Sequence, residues 1–122
     1  MANIINMGGG SSYPVLLASV TSVPTSATAI SGTETWKKYD AIYFECFMHY
    51  KNASDKSVNT NLILTKNVSS GDTYQLIRVT TSSGDGSELN IRGYFSENVL
   101  RAYKVVHGGY DVTKLNIYGV NF

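Results

Sequence analysis

Along the stretch Tyr39–Tyr50 (YDAIYFECFMHY) apolar side chains recur with a period of two. Ile42, Phe44, Cys46, Met48 and Tyr50 fall on one parity, and Tyr43, Glu45, Phe47 and His49 on the other. A pleated strand imposes this alternation, and aromatic and β-branched residues suit a half-buried sheet. A helix would gather Ile42, Cys46 and His49 on one stripe and scatter Phe44 and Phe47 around it, a poorer division. The pattern predicts the central strand of one folded unit.

Shorter segments repeat the signal. Tyr13–Val23 is the first predicted strand, with Pro14 near its start, where a missing N–H does least harm. Pro24-Thr-Ser is turn chemistry and Ala27–Ser31 a short second strand. Thr33–Lys38 connects to the central strand, and Asp40 stands at its solvent-facing start. Lys51–Asn59 is polar and reads as a loop, Asn61–Lys66 as a strand, and Asn67–Asp72 as a hairpin-type turn in which Gly71 takes positive φ.

Thr73–Thr81 is the next strand, with Tyr74, Leu76 and Arg78 facing one way and Gln75, Ile77 and Val79 the other. Ser82–Ser87 (SSGDGS) is a loop tip. Glu88–Ser96 follows with Leu89, Ile91 and Phe95 inward and Asn90, Arg92 and Tyr94 outward; Gly93 interrupts the inward row, which implies a bulge or a close approach. Val99–Val106, a turn at His107–Asp111 and a last strand at Val112–Phe122 complete the chain. About seven to nine short strands, turn signals roughly every 8–12 residues and no helical stripe predict an all-β fold, an antiparallel β-sandwich or jelly roll.

Length and composition narrow this further. The chain of 122 residues has room for one domain with a single core. We assign that domain to 13–122 and treat 1–12, an apolar NIINM followed by GGGSS, as a flexible N-terminal attachment segment. A charged fraction of 16% with 9 tyrosines is common in β-rich extracellular and virion proteins. The net charge of +1, with no block of like charges, gives no electrostatic footprint for nucleic acid or an anionic membrane. No apolar run approaches the ~20 residues of a membrane helix. The first residues do not form a secretory signal.

Candidate chemistry is sparse. His49 and His107 lack a second ligand at metal spacing, and Cys46 and His49 fall on opposite faces of a strand. Cys46, on the apolar parity, reads as a small core hydrophobe. Asp85 and Glu88 flank a glycine-rich tip, and Asp40 and Glu45 differ in parity, so neither pair makes the fixed carboxylate gap of a glycosidase. GGGSS follows no strand and opens no helix, which removes the phosphate-loop reading. No catalytic residue, metal or cofactor is assigned.

Aromatic residues are more informative. Trp36, Tyr43, Phe47, Tyr94, Tyr103, Tyr110 and Tyr118 exceed what the inward parities require. Ring faces stack on sugars and tyrosine hydroxyls add hydrogen bonds, so Trp36, Tyr94, Tyr103 and Tyr110 are the candidate ligand contacts. Packing against a second sheet or a neighbouring subunit accounts for such residues more readily than ligand contact does.

The order of segments, with a short strand ATAIS, W-x-x-YDAIYFE and a closing TKLNIYGV, resembles the small β-sandwich domains of tailed-phage and prophage structural proteins. The residues that carry the likeness are Tyr39, Asp40, Ile42 and Phe44, then Val112, Lys114, Leu115, Ile117 and Gly119, with NIINMGGG similar to N-terminal segments of such virion proteins. The resemblance implies a virion structural protein, a tail-associated receptor-binding module that attaches to host cell-surface saccharide. The alternative it leaves open is a purely structural head-fibre or decoration protein that binds only capsid or tail proteins. It further implies a homotrimer, contacts with other virion proteins through the N-terminal segment, no nucleic-acid partner and no membrane insertion. Synthesis is then expected in the host cytoplasm, without a signal peptide. A free-standing bacterial carbohydrate-binding module is a third reading.

Overall fold

Strand Ala41–Tyr50 lies in the middle of its sheet, flanked on both sides by antiparallel partners. The computed structural model describes residues 13–50, 56–80 and 86–122. Among these, the strands in chain order are β1 (Val15–Val20), β2 (Thr28–Ala29), β3 (Ala41–Tyr50), β4 (Lys56–Leu64), β5 (Thr73–Thr80), β6 (Glu88–Phe95), β7 (Leu100–His107) and β8 (Tyr110–Val120). They form two four-stranded antiparallel sheets, a first in the order β1-β8-β3-β4 and a second in the order β2-β7-β6-β5. The protein is an all-β sandwich. Pairing of β1 with β8 and of β2 with β7 wraps the chain as a jelly roll does; β3–β4 and β5–β6–β7 join sequential neighbours. The expected attachment segment, together with residues 51–55 of the expected loop and 82–85 of the expected tip, lies outside the described residues.

The core is the inner face of both sheets. Ile42, Phe44, Cys46 and Met48 of β3 meet Leu115 and Ile117 of β8 and, from the other sheet, Leu76, Ile77, Leu89, Ile91, Phe95 and Leu100. Each such side chain contributes roughly 1.5–3 kcal/mol when taken from water. Burial pushes the Cys46 thiol up to about 12, since a thiolate would be stranded among hydrocarbon.

Three local departures from the sequence reading have physical causes. Lys56–Asn59, expected as loop, belongs to β4 and pairs with His49, Met48, Phe47 and Cys46. β4 is an edge strand, so its polar residues keep one edge and one face in water and lose little. Thr65 and Lys66, expected as the end of a strand, belong instead to a single 3-10 turn, Thr65–Asn67. In β5 the register shifts between Gln75 and Ile77, so Leu76 and Ile77 are both buried where simple alternation separates them. Gly93 marks the close approach: a Cβ there would lie 2.5 Å from the Arg101 carbonyl oxygen and 3.1 Å from Leu76 Cδ1.

Candidate functional site

The outer face of the second sheet gathers the chemistry-bearing residues. Because Ile91, Gly93 and Phe95 of β6 and Leu100 and Ala102 of β7 point inward, Arg92 and Tyr94 of β6 and Arg101 and Tyr103 of β7 point outward. The ladder places Arg92 opposite Tyr103 and Tyr94 opposite Arg101, giving a two-by-two checkerboard of guanidinium and phenol groups. Directly opposed Cβ atoms in such a ladder lie about 4.5–5.5 Å apart. On β5, Gln75 extends the row beside Arg92 and Thr73 the row beside Tyr94.

All three arginines of the chain stand on this face, since Arg78 of β5 pairs with Asn90. Arg78 is neutralised: its Nε donates to Glu88 Oε2 at 3.2 Å, and the same oxygen accepts from Asn90 Nδ2 at 3.2 Å. Arg92 and Arg101 form no ion pair among the described residues. Three arginines less one glutamate leave the face with a formal charge of +2.

Two of the four residues singled out from sequence, Tyr94 and Tyr103, come together here as diagonal neighbours. The other two are placed elsewhere. Trp36 is 4% exposed; the 3-10 helix Thr33–Lys38 turns it inward against Phe95, centroids 4.9 Å apart, and its Nε1 donates to the Ser96 carbonyl at 2.9 Å. Tyr110 is 8% exposed and packs on Tyr50, centroids 5.0 Å apart. Both are corrected to residues of the buried core, and the Trp36 ring is further covered by Lys37, whose Nζ stands 5.6 Å from its centroid. Periodicity missed Trp36 because a 3-10 helix has no period-two signal. Arg92 and Arg101 were not singled out, although their flanking tyrosines and their outward parity were readable.

The outer face of the first sheet is different in kind. Ser19 Oγ donates to Asn116 Oδ1 at 2.6 Å, Asn116 Nδ2 donates to Glu45 Oε1 at 3.1 Å, and the Tyr118 hydroxyl donates to the same Glu45 oxygen at 3.2 Å. Partial burial and the adjoining Glu45 carboxylate raise Tyr118 above the usual phenol range. This network ties β1, β8 and β3 together, and it offers one carboxylate where acid–base hydrolysis needs two. His49 Nδ1 lies 3.9 Å from Asp111 Oδ2, too far for a hydrogen bond. Among the described residues no group of three or more His, Cys, Asp and Glu side chains converges to hold a metal. No helix among them is long and apolar enough to cross a membrane.

Among the described residues the surface carries several depressions, two of which contrast in character. One, of about 220 Å³, is lined mainly by Val20, Val23, Pro24, Ile30 and Ala102. The other, shallow and about 460 Å³, collects Lys37, Lys38 and Lys66 beside Tyr39 and Asp40. Its Lys37 is engaged by Glu97 at 2.7 Å, and the Asp40 carboxylate accepts from the Phe122 amide at 2.6 Å.

No family model, curated protein or solved structure matches this chain.

Proposed function

We propose that the protein is a non-enzymatic binding module carried on a phage virion, which engages host-surface saccharide through the outer face of the second sheet. The observation that carries this reading is the register that sets Tyr94 against Arg101 and Arg92 against Tyr103 on an outward-facing ladder. Tyrosine supplies a rigid, amphipathic contact surface at low entropic cost, and arginine supplies a fork of donors that suits sugar hydroxyls and acids. A sheet backbone holds these groups at fixed spacing, as an oligosaccharide with regular repeats requires. The virion setting comes from the resemblance of the YDAIYFE and TKLNIYGV strands to phage structural domains, and the sandwich is the architecture that resemblance implies.

A second reading has an observation of its own. β1 is an edge strand of the first sheet, and Tyr13, Val15 and Leu16 at its start are 68%, 47% and 54% exposed. No charged residue occurs between Tyr13 and Thr33. An uncharged apolar edge suits pairing with another chain, which favours a structural component that binds only virion proteins.

A glycan array probed with the wild-type protein and the Tyr94→Ala/Tyr103→Ala variant separates the two. Saccharide binding that the double variant loses, with its fold intact by circular dichroism, supports the binding module. Absence of any glycan signal from the wild type, or binding that survives in the variant, rules against this face as the saccharide site. Light scattering on the same samples tests the expected trimer.

A further inference from the structure

Resting on the saccharide reading above, we infer that the ligand is an anionic saccharide, whose carboxylate or phosphate groups are taken by Arg92 and Arg101 between the rings of Tyr94 and Tyr103. The argument begins with charge. A neutral-sugar platform needs aromatic faces and hydroxyl partners, whereas this one carries every arginine in the protein. Lys37 is paired with Glu97 and Arg78 with Glu88. Arg92 and Arg101, like Lys38, Lys56, Lys66, Lys104 and Lys114, form no ion pair among the described residues; what sets the two arginines apart is their place beside Tyr94 and Tyr103 on one sheet face.

Their neighbours explain why no acid among the described residues competes for them. Across the ladders Arg92 faces Tyr103 and Gln75, and Arg101 faces Tyr94 and Ala29. The acid of this face, Glu88, lies at the far end of β6, opposite His107 and Thr80 and bonded to Arg78. Glu97, in the β6–β7 turn, is held by Lys37. Among the described residues the two guanidinium groups are therefore always-charged donors without an acid partner, on a face whose other charges, Arg78 and Glu88, pair with each other.

Geometry distinguishes the ligand class further. The two arginines belong to adjacent strands and are diagonal neighbours of the checkerboard, about 7–8 Å apart and within reach of the same bound saccharide. The tyrosines between them offer ring faces and hydroxyls to the uncharged part of each repeat. Nucleic acid shares the charge, but a local +2 on a chain of net +1 makes only about two phosphate contacts, too few for firm binding near physiological salt. An acidic polysaccharide, which presents sugar rings and hydroxyls beside its anions, suits the tyrosines and the arginines together.

The test uses the full chain against four probes by biolayer interferometry: polygalacturonate for carboxylate, phosphomannan for phosphate, mannan as its neutral counterpart, and a single-stranded DNA oligonucleotide. The expected result is binding to one or both acidic glycans at least about tenfold tighter than to mannan. That binding should weaken about tenfold between 50 and 200 mM salt, as roughly two ionic contacts predict. Arg92→Gln/Arg101→Gln should abolish the preference, and Arg92→Lys/Arg101→Lys should retain most of the salt dependence. The polygalacturonate and phosphomannan arms assign the anion.

Equal, salt-insensitive binding to mannan and the acidic glycans overturns the anionic assignment while leaving the saccharide reading in place. DNA bound as tightly as the acidic glycans overturns the saccharide class. Binding to none of the four overturns both. Retention of the preference by the Gln double variant, folded by circular dichroism, overturns the role of these arginines.

Discussion

Tyr94 and Arg101 are direct cross-strand partners in the β6–β7 ladder, on the outer side of strands whose inward neighbours Phe95 and Leu100 are fully buried. The pair belongs to the surface, not the core. Tyr94→Ala should therefore cost only about 0.5 kcal/mol, the scale of a cross-strand pair. Chemical denaturation of the variant beside the wild type measures this. A loss of several kcal/mol would place Tyr94 in the packing of the fold and remove it from the ligand surface.

The ring of Tyr39 lies over the backbone of Gly119, where an added Cβ would come within 2.5 Å of the ring. Gly119→Ala forces that ring off its seat and should destabilise the protein by roughly 1–3 kcal/mol, as overpacking does. Combining it with Tyr39→Ala should recover part of the loss relative to additivity, which a double-mutant cycle reads directly. Strict additivity would show that ring and glycine do not interact.

Asn61 spans the open side of the sandwich: its Nδ2 donates to the Gln75 carbonyl at 3.2 Å and to the Leu76 carbonyl at 3.0 Å. It clips edge strand β4 to edge strand β5 at the point where the β5 register shifts. Asn61→Ala should cost about 1–2 kcal/mol. Amide hydrogen exchange should rise first in β4 and β5, while β3 and β8 keep their protection.

Cys46, with its thiol pushed up to about 12, links stability to alkaline pH. Above the ordinary thiol value the unfolded chain gives up this proton and the folded chain keeps it. The unfolded state then binds fewer protons, so stability falls as pH rises from about 9 towards 12, by up to about 1.4 kcal/mol per pH unit for one group. Tyr118, raised by its partial burial and by Glu45, acts in the same direction. Cys46→Val should flatten part of this alkaline slope in urea titrations. It should leave stability near pH 6 to 7 within about 1.5 kcal/mol, because the swap nearly conserves volume.

Much of the sandwich is readable along the chain because its central strands obey strict alternation. β3 buries the parity carried by Ile42, Phe44, Cys46 and Met48, and β6 buries Leu89, Ile91 and Phe95. Reading fails where tertiary context replaces periodicity. β4 begins at Lys56 because its partner β3 supplies the hydrogen bonds, and no local apolar signal is needed at an edge. Leu76 and Ile77 both turn inward because a register shift resets parity, which adjacent identities do not announce. The aromatic surplus pointed to a surface of this kind, but composition cannot separate Trp36 and Tyr110, drawn into the core, from Tyr94 and Tyr103, left on a face. Register decides that, and register also brings Arg92 and Arg101 alongside.

The most direct test of the account is backbone-amide NMR of the labelled protein titrated with an acidic oligosaccharide such as oligogalacturonate. The account predicts the largest shift changes at Arg92, Tyr94, Arg101 and Tyr103, with Glu45, Asn116 and Tyr118 on the opposite sheet unmoved. Changes centred on the Glu45 network or on the lysine-lined depression at Lys37, Lys38 and Lys66, with the β6–β7 face silent, would contradict it.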